Sequence, residues 1–183
     1  MTKRILILNG SSRRQGNTVA LTKRFREGAE EKGHIVEEIF VDRLTIKSCL
    51  GCYQCWNRAN EANPCIQQDD MIQIYDAFKS ADVIVLASPI YYWAITGALK
   101  LVVDRTFALS QANEGIMPKK EVAFISAAES DEFDEVLAWY NVVTNYLEWK
   151  QRGLVLCDGV MNAGDVLKRT DKLQEAYELG ASI

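Results

Sequence analysis

Four aliphatic residues, Ile5-Leu6-Ile7-Leu8, run directly into Asn9-Gly10-Ser11-Ser12-Arg13-Arg14-Gln15-Gly16-Asn17-Thr18, and a helix-period pattern begins at Val19. A short unbroken apolar run is what a strand buried on both faces requires, so the chain must cover its first strand on two sides. A strand, a tight polar loop and a helix start together make an anion site, because free backbone N–H groups and the helix dipole converge there. Ser11, Ser12, Asn17 and Thr18 add neutral donors, and Arg13 and Arg14 add positive charge. The bland alternative is a capped helix start, with Asn17 or Thr18 as N-cap and both arginines in solvent.

The rest of the chain repeats this alternation. Leu21, Phe25, Ala29 and Lys32 stand at helical spacing, and Gly33 suits the end of that first helix. Residues 35–41 read as a second strand, less purely apolar and therefore nearer a sheet edge. Asp70, with Gln73 three residues on, predicts a capped helix carrying Met71, Ile74, Tyr75 and Phe78 on one face. Residues 81–87 form the clearest buried strand, followed by the aromatic loop Ser88-Pro89-Ile90-Tyr91-Tyr92-Trp93. A helix is predicted from Thr96 to Phe107, with Leu99, Val102, Val103 and Phe107 inward. Val122–Ile125 makes a fourth strand, and Ser130 is placed as the cap of a helix with an acidic first turn. Leu154–Cys157 is the fifth strand, with Cys157 a core residue, and a last helix covers Asp171–Leu179. His34, the only histidine, is placed on the surface.

Five buried strands alternating with helices predict an α/β doubly wound five-stranded parallel sheet, with helices on both faces. Right-handed crossovers favour the flavodoxin-like order 2-1-3-4-5. A chain of 183 residues without linker or repeat reads as one domain, residues 1–183. The net charge of −4 gives no general pull toward nucleic acid. No secretory signal fits ahead of the first strand, and runs such as Val83–Ala87 are far too short to span a bilayer, so no membrane partner is expected and the cytoplasm is.

In an open parallel sheet, ligands bind beyond the carboxyl ends of the strands where the winding reverses. For the order above, the loops at that point are Gly10–Thr18 and Pro89–Trp93, joined by Ser126–Ser130. The first suits a phosphate and the second a flat heterocycle, which together describe a mononucleotide with an aromatic head. Core or interface packing is the alternative for any single ring of the aromatic loop. Gly-x-Gly-x-x-Gly is absent after strand one, and Asn17 stands where a phosphate-loop lysine would be, so the common dinucleotide and NTPase patterns are excluded.

Leu8-Asn9-Gly10-Ser11-Ser12-Arg13, Gly16-Asn17-Thr18, Asp69-Asp70-Met71, Ser88-Pro89-Ile90-Tyr91-Tyr92, Gly97-Ala98-Leu99-Lys100 and Asp104-Arg105 resemble the NADPH-dependent FMN reductase family, over residues 3 to about 107. The resemblance implies a flavodoxin-like fold and an FMN whose phosphate lies on Ser11, Ser12, Arg13, Asn17 and Thr18. Pro89, Ile90, Tyr91, Tyr92 and Trp93 would border its ring system, with Ser126 and Ala127 closing a third side. It also implies NAD(P)H as electron donor, a quinone, free flavin or other small-molecule acceptor, and a homodimer or homotetramer. No side-chain acid/base set is visible, as expected when flavin N5 carries the chemistry. Rival readings are an electron-transfer module without its own NAD(P)H turnover, and a thiol- or metal-based sensor.

Cys49, Cys52 and Cys55 are spaced by two residues each, and Cys65 follows after nine more. Free or redox-exchanging thiols are the first reading. Three closely spaced thiols with a fourth from elsewhere also suit a [4Fe–4S] cluster, as in the iron–sulfur flavoprotein branch of the same family, although the nine-residue gap departs from its compact pattern. Structural zinc would more commonly use paired Cys-x2-Cys units.

Overall fold

The computed structural model describes residues 1–58 and 62–183. Its centre is a parallel sheet of β1 (Arg4–Asn9), β2 (Ile35–Phe40), β3 (Val83–Tyr91), β5 (Glu121–Ala127) and β6 (Lys150–Cys157). Their spatial order is β2-β1-β3-β5-β6, with a two-residue β4 (Ala94–Ile95) paired to β3 alone. The five long strands therefore have the predicted order 2-1-3-4-5, and β4 is a sixth strand that the sequence reading lacks. It arises because β3 continues past Ala87 to Tyr91 and folds back, pairing Ile90 with Ile95 and Tyr91 with Ala94 in antiparallel register.

Alternation along the strands divides the core. Leu6, Leu8, Ile84, Leu86, Val122 and Phe124 face one helical layer. It consists of α2 (Met71–Ser80), α3 (Gly97–Arg105), α4 (Phe107–Gln111) and α5 (Asp134–Tyr146). Ile5, Ile7, Val83, Val85, Ala123, Ile125 and Val155 face the other, α1 (Asn17–Glu31) and α6 (Thr170–Ala181). Each of these strand residues is buried, as a sheet covered on both sides demands. Cys157 lies in the second core, and β2 is a half-exposed edge strand, both as expected.

α1 and α6 approach closely at Gly28 and Gly180. A methyl on Gly28 would overlap the Tyr177 carbonyl, and one on Gly180 the Phe25 carbonyl. Gly33 follows the end of α1 with φ of 82° and donates to the Glu30 carbonyl at 2.9 Å, as its placement predicts.

Several helix ends differ in detail from expectation. Asp70 stands at the N-cap of α2 as predicted, but its side chain does not bond the helix; its Oδ2 accepts from the Thr45 amide at 2.7 Å, and Asp69 Oδ1 takes the Met71 amide at 3.2 Å. The chain returning from β2 crosses the helix start and occupies both carboxylates. Thr96 does cap α3, but the helix breaks at Thr106, whose hydroxyl bonds back to the Val103 carbonyl at 2.7 Å. Phe107 is thereby turned out of the core, 42% exposed, its ring centroid 6.1 Å from that of Tyr53 in an edge-to-face contact. α5 begins at Asp134, leaving Ser130 in the preceding loop. α6 is longer than predicted at both ends. His34 is half-buried, its Nδ1 accepting from the Lys3 amide at 3.1 Å, and burial beside the Lys3 charge lowers its pKa. No helix among the described residues is long and apolar enough to cross a membrane.

Candidate functional site

The carboxyl ends of β1, β3 and β5 are tied together by four hydrogen bonds. The Gly10 amide donates to the Ala87 carbonyl at 2.8 Å, and Thr96 Oγ1 donates to the Gly10 carbonyl at 3.1 Å. The Thr96 amide donates to Ser88 Oγ, and Ser126 Oγ to the Ser88 carbonyl, each at 2.9 Å. Gly10 is required at this junction, since a methyl there would collide with Thr96 Oγ1 and touch Leu99 Cβ. Neither Thr96 nor Ser88 stands out in the sequence as a functional position. Only their places, one at a helix start and one at a strand end, could have suggested this role.

The first loop is folded by its own polar groups. The Ser11 amide donates to Asn9 Oδ1 at 2.9 Å, and Asn9 Nδ2 donates to Glu38 Oε1 at 2.8 Å, so the buried asparagine joins the loop to the sheet edge. The Arg13 amide donates to Ser11 Oγ at 3.3 Å, and the Gly16 amide to the Arg13 carbonyl at 2.9 Å. Gly16, the N-cap of α1, has no side chain to satisfy the helix, and a Cβ there would lie 2.9 Å from Arg13 Cβ and from its carbonyl oxygen. The amides of Asn17 and Thr18 consequently project from the helix start with no acceptor among the described residues, a ready anion site.

The side chains predicted for this loop are divided. Ser12 is exposed, and the Thr18 hydroxyl makes no hydrogen bond among the described residues. Arg13 is exposed, with Nη1 on the Met161 carbonyl at 3.1 Å. Arg14 turns toward β2, paired with Asp42 at 3.0 Å and lying 3.7 Å over the Phe40 ring. The Asn17 carboxamide is committed to the loop after β6, donating to the Asn162 carbonyl at 3.0 Å and accepting from the Val166 amide at 3.2 Å. That loop, 158–166, is a fourth wall that the sequence reading omits. Asp165 holds its turn by accepting from the Asn162 and Met161 amides at 2.7 and 3.3 Å. Its only advance signal is the turn-forming run Asn162-Ala163-Gly164-Asp165 after a buried strand.

The aromatic loop is the β3–β4 hairpin. Tyr92 and Trp93 occupy its turn with φ of 48° and 59°, the left-handed pair that a two-residue hairpin needs and that Asn-Gly normally supplies. Pro89 and Ile90 are half-buried, Tyr91 and Trp93 exposed, and Tyr92 is 94% exposed. Trp93 Nε1 donates to Glu132 Oε2 at 2.9 Å. Between this turn and the β5–α5 loop lies a cleft of about 380 Å³, walled by Ile90, Tyr92 and Trp93 on one side and by Ala128, Glu129, Ser130 and Glu132 on the other. Ser126 and Ala127 are both buried at the end of β5, beneath that second wall.

Cys49, Cys52, Cys55 and Cys65 line a single small cavity of about 30 Å³ over Arg105 and Phe107. Burial pushes the Cys55 thiol up, and the three neighbouring thiols add to this. Among the described residues no three His, Cys, Asp or Glu side chains stand where they could hold a metal. The segment between Cys55 and Cys65 includes residues 59–61, which lie outside the described residues. The cysteine loop is fastened inside by a bidentate pair, Arg105 Nη1 to Asp69 Oδ2 at 2.6 Å and Nη2 to Oδ1 at 3.1 Å, with Nη1 also on the Lys47 carbonyl at 2.7 Å. The sequence reading placed the neighbouring Asp70 as a helix cap and named Asp69 and Arg105 only within the family resemblance.

An iron–sulfur flavoprotein of Archaeoglobus fulgidus is 32% identical over 103 residues, 56% of this chain and 48% of that protein. Another from the same organism is 27% identical over 143 residues, 78% of this chain and 71% of that one. The chain spans about half the length of the curated relatives at 31–32% identity. Among solved structures, an NAD(P)H:quinone oxidoreductase from Methanothermobacter marburgensis superposes with a TM-score of 0.71 at 19% identity, covering 99% of this chain and 96% of that one. An FMN-dependent NADH-azoreductase of Bacillus anthracis, solved with FMN, gives 0.69 at 18% identity over 97% and 98%. At such identities the shared property is the flavodoxin-like fold. The model described as NADPH-dependent FMN reductase matches residues 3–148, most of the chain and every loop of the candidate site except that after β6. The chain belongs to the NADPH-dependent FMN reductase family.

Proposed function

We propose that the protein is an FMN-dependent oxidoreductase that draws electrons from NAD(P)H and passes them to a quinone, a free flavin or another small acceptor. One observation carries the reading: a glycine-capped helix start with unpartnered amides and an aromatic cleft flank the same stitched junction of strand ends. When bound, the flavin supplies two-electron exchange with a nicotinamide and release to the acceptor. The residues present fit it. The Asn17 and Thr18 amides, with the Ser12 and Thr18 hydroxyls and the Arg13 guanidinium, are neutral or positive donors for a phosphate. Ser11 and the Asn17 carboxamide shape the loop that presents them. Pro89, Ile90, Tyr91, Tyr92 and Trp93 border the ring system, while Ser126 and Ala127 end β5 at the foot of the opposite wall, Ser126 bonded to the Ser88 carbonyl of β3. No side chain need transfer a proton.

The assembly in this reading is a homodimer or homotetramer. Ile116, Val142 and Tyr146 are exposed around α5 and the loop before β5, an apolar face of the kind a second copy covers. A second reading adds a [4Fe–4S] cluster on Cys49, Cys52, Cys55 and Cys65, favoured by their convergence on one cavity. Among the described residues these thiols form no ligand set.

Anaerobic purification, followed by an absorption spectrum and iron and sulfide assays, tests both readings. Yellow protein without iron that oxidises NAD(P)H with a quinone is the expected result. Brown protein with about four iron atoms per chain supports the second reading. Colourless protein that cannot take up FMN overturns both.

A further inference from the structure

The cleft between the β3–β4 turn and the β5–α5 loop carries a charge for which flavin binding has no use. Glu129 and Glu132 stand on one wall, opposite the rings of Tyr92 and Trp93. Asp131, Asp134 and Glu135 follow in the same loop and the first turn of α5, and all five carboxylates are exposed. None has a lysine or arginine within ion-pair distance among the described residues, in a chain whose total formal charge is only −4. The dipole at the start of α5 offsets part of the charge on Asp134 and Glu135, but Glu129 and Glu132 lie ahead of it. Trp93 Nε1 on Glu132 Oε2 fixes an indole beside a carboxylate, so ring and charge share one small space.

The geometry points to a cleft that admits flat aromatic cations in preference to flat aromatic anions as the electron acceptor. This names an acceptor class for the proposed flavin site and rests on that reading. The rings offer a stacking surface that favours positive charge through their negative faces, and the two carboxylates add attraction. Both carboxylates are solvated, so each contributes modestly, and together they amount to about a tenfold preference at low salt. Sulfonated or carboxylated acceptors of the same size meet the same field as a repulsion.

The test is equilibrium titration of the purified protein, without nicotinamide, with methylene blue, a tricyclic cation, and anthraquinone-2-sulfonate, a tricyclic anion. The cation should bind about tenfold more tightly at low salt, and the ratio should contract as salt is raised. In Glu129→Gln/Glu132→Gln the ratio should fall to about twofold or less, since the isosteric amides keep shape and remove charge. In Trp93→Leu both dyes should weaken, which separates stacking from charge. Equal affinity of the wild type for the two dyes, or a preference that survives in the double variant, overturns the inference. FMN uptake is measured on the same preparations. Bound flavin without dye preference sinks the cleft selectivity alone; dye preference without flavin uptake sinks the flavin reading and leaves the charge selectivity of the cleft standing.

Discussion

A guanidinium that is 1% exposed must find acceptors for its donors inside the protein. Arg105 does so on Asp69 and Lys47, leaving only Nε without a partner among the described residues. Burial works to raise the Asp69 carboxyl, but hydrogen bonds from Arg105 and the Lys47 amide outweigh it and hold the group below the usual carboxylate range. A carboxyl with a depressed folded pKa stabilises the protein above its unfolded value of about 4, and that contribution disappears as pH falls through the folded value. Acid unfolding followed by circular dichroism should therefore set in below pH about 4 and start earlier in Asp69→Asn. Leaving Arg105 buried without its counter-charge should cost that variant about 3–5 kcal/mol at neutral pH in urea melts. Thirty-six residues separate the partners, and no local spacing rule links them. The Asp69-Asp70 pair reads from sequence only as a helix start, which is half of what Asp69 does. Gly10→Ala belongs to the same scale: its methyl would push Thr96 aside, costing about 1–3 kcal/mol and the fit of the first loop to FMN, measurable by fluorescence titration.

Helices and hairpins respond to different pressures. α1 and α6 cross backbone to backbone because Gly28 and Gly180 carry no Cβ, so Gly28→Ala and Gly180→Ala should each destabilise by at least about 1–3 kcal/mol, read as a lower thermal midpoint. The β3–β4 turn is strained in the opposite sense, since two bulky residues hold conformations that glycine adopts freely. Trp93→Gly should raise stability by about 0.5–1 kcal/mol while weakening aromatic ligands in the cleft, as calorimetry and dye titration would record. Buried strands were legible because period and composition agree over β1, β3 and β5. The hairpin was not, because Tyr91-Tyr92-Trp93 has none of the turn chemistry that announces such a reversal. Phe107 misled for a related reason. Its spacing from Val103 is helical, but the Thr106 hydroxyl ends the ladder just before it.

Across the whole molecule, the predicted sheet order and the placing of a ligand loop beyond β1 both follow from one rule, that parallel strands must be covered on two faces. The loop after β6 escaped because it reaches the site through Asn17 and Arg13, 145 and 148 residues away, by contacts between side chain and backbone that leave no pattern in either segment. The charge distribution is likewise a property of the whole: a modest total conceals a concentration of carboxylates on the β5–α5 side of the cleft. The ties among Gly10, Ala87, Thr96, Ser88 and Ser126 join the ends of the three central strands, all buried. The amide protons of Gly10 and Thr96 should therefore exchange with deuterium only when the entire sheet opens, at the slowest rates in the chain. Saturating FMN should slow exchange at Asn17 and Thr18 and leave Gly10 and Thr96 slowed only by the global stabilisation. A cradle that is already rigid surrenders little entropy when it is filled.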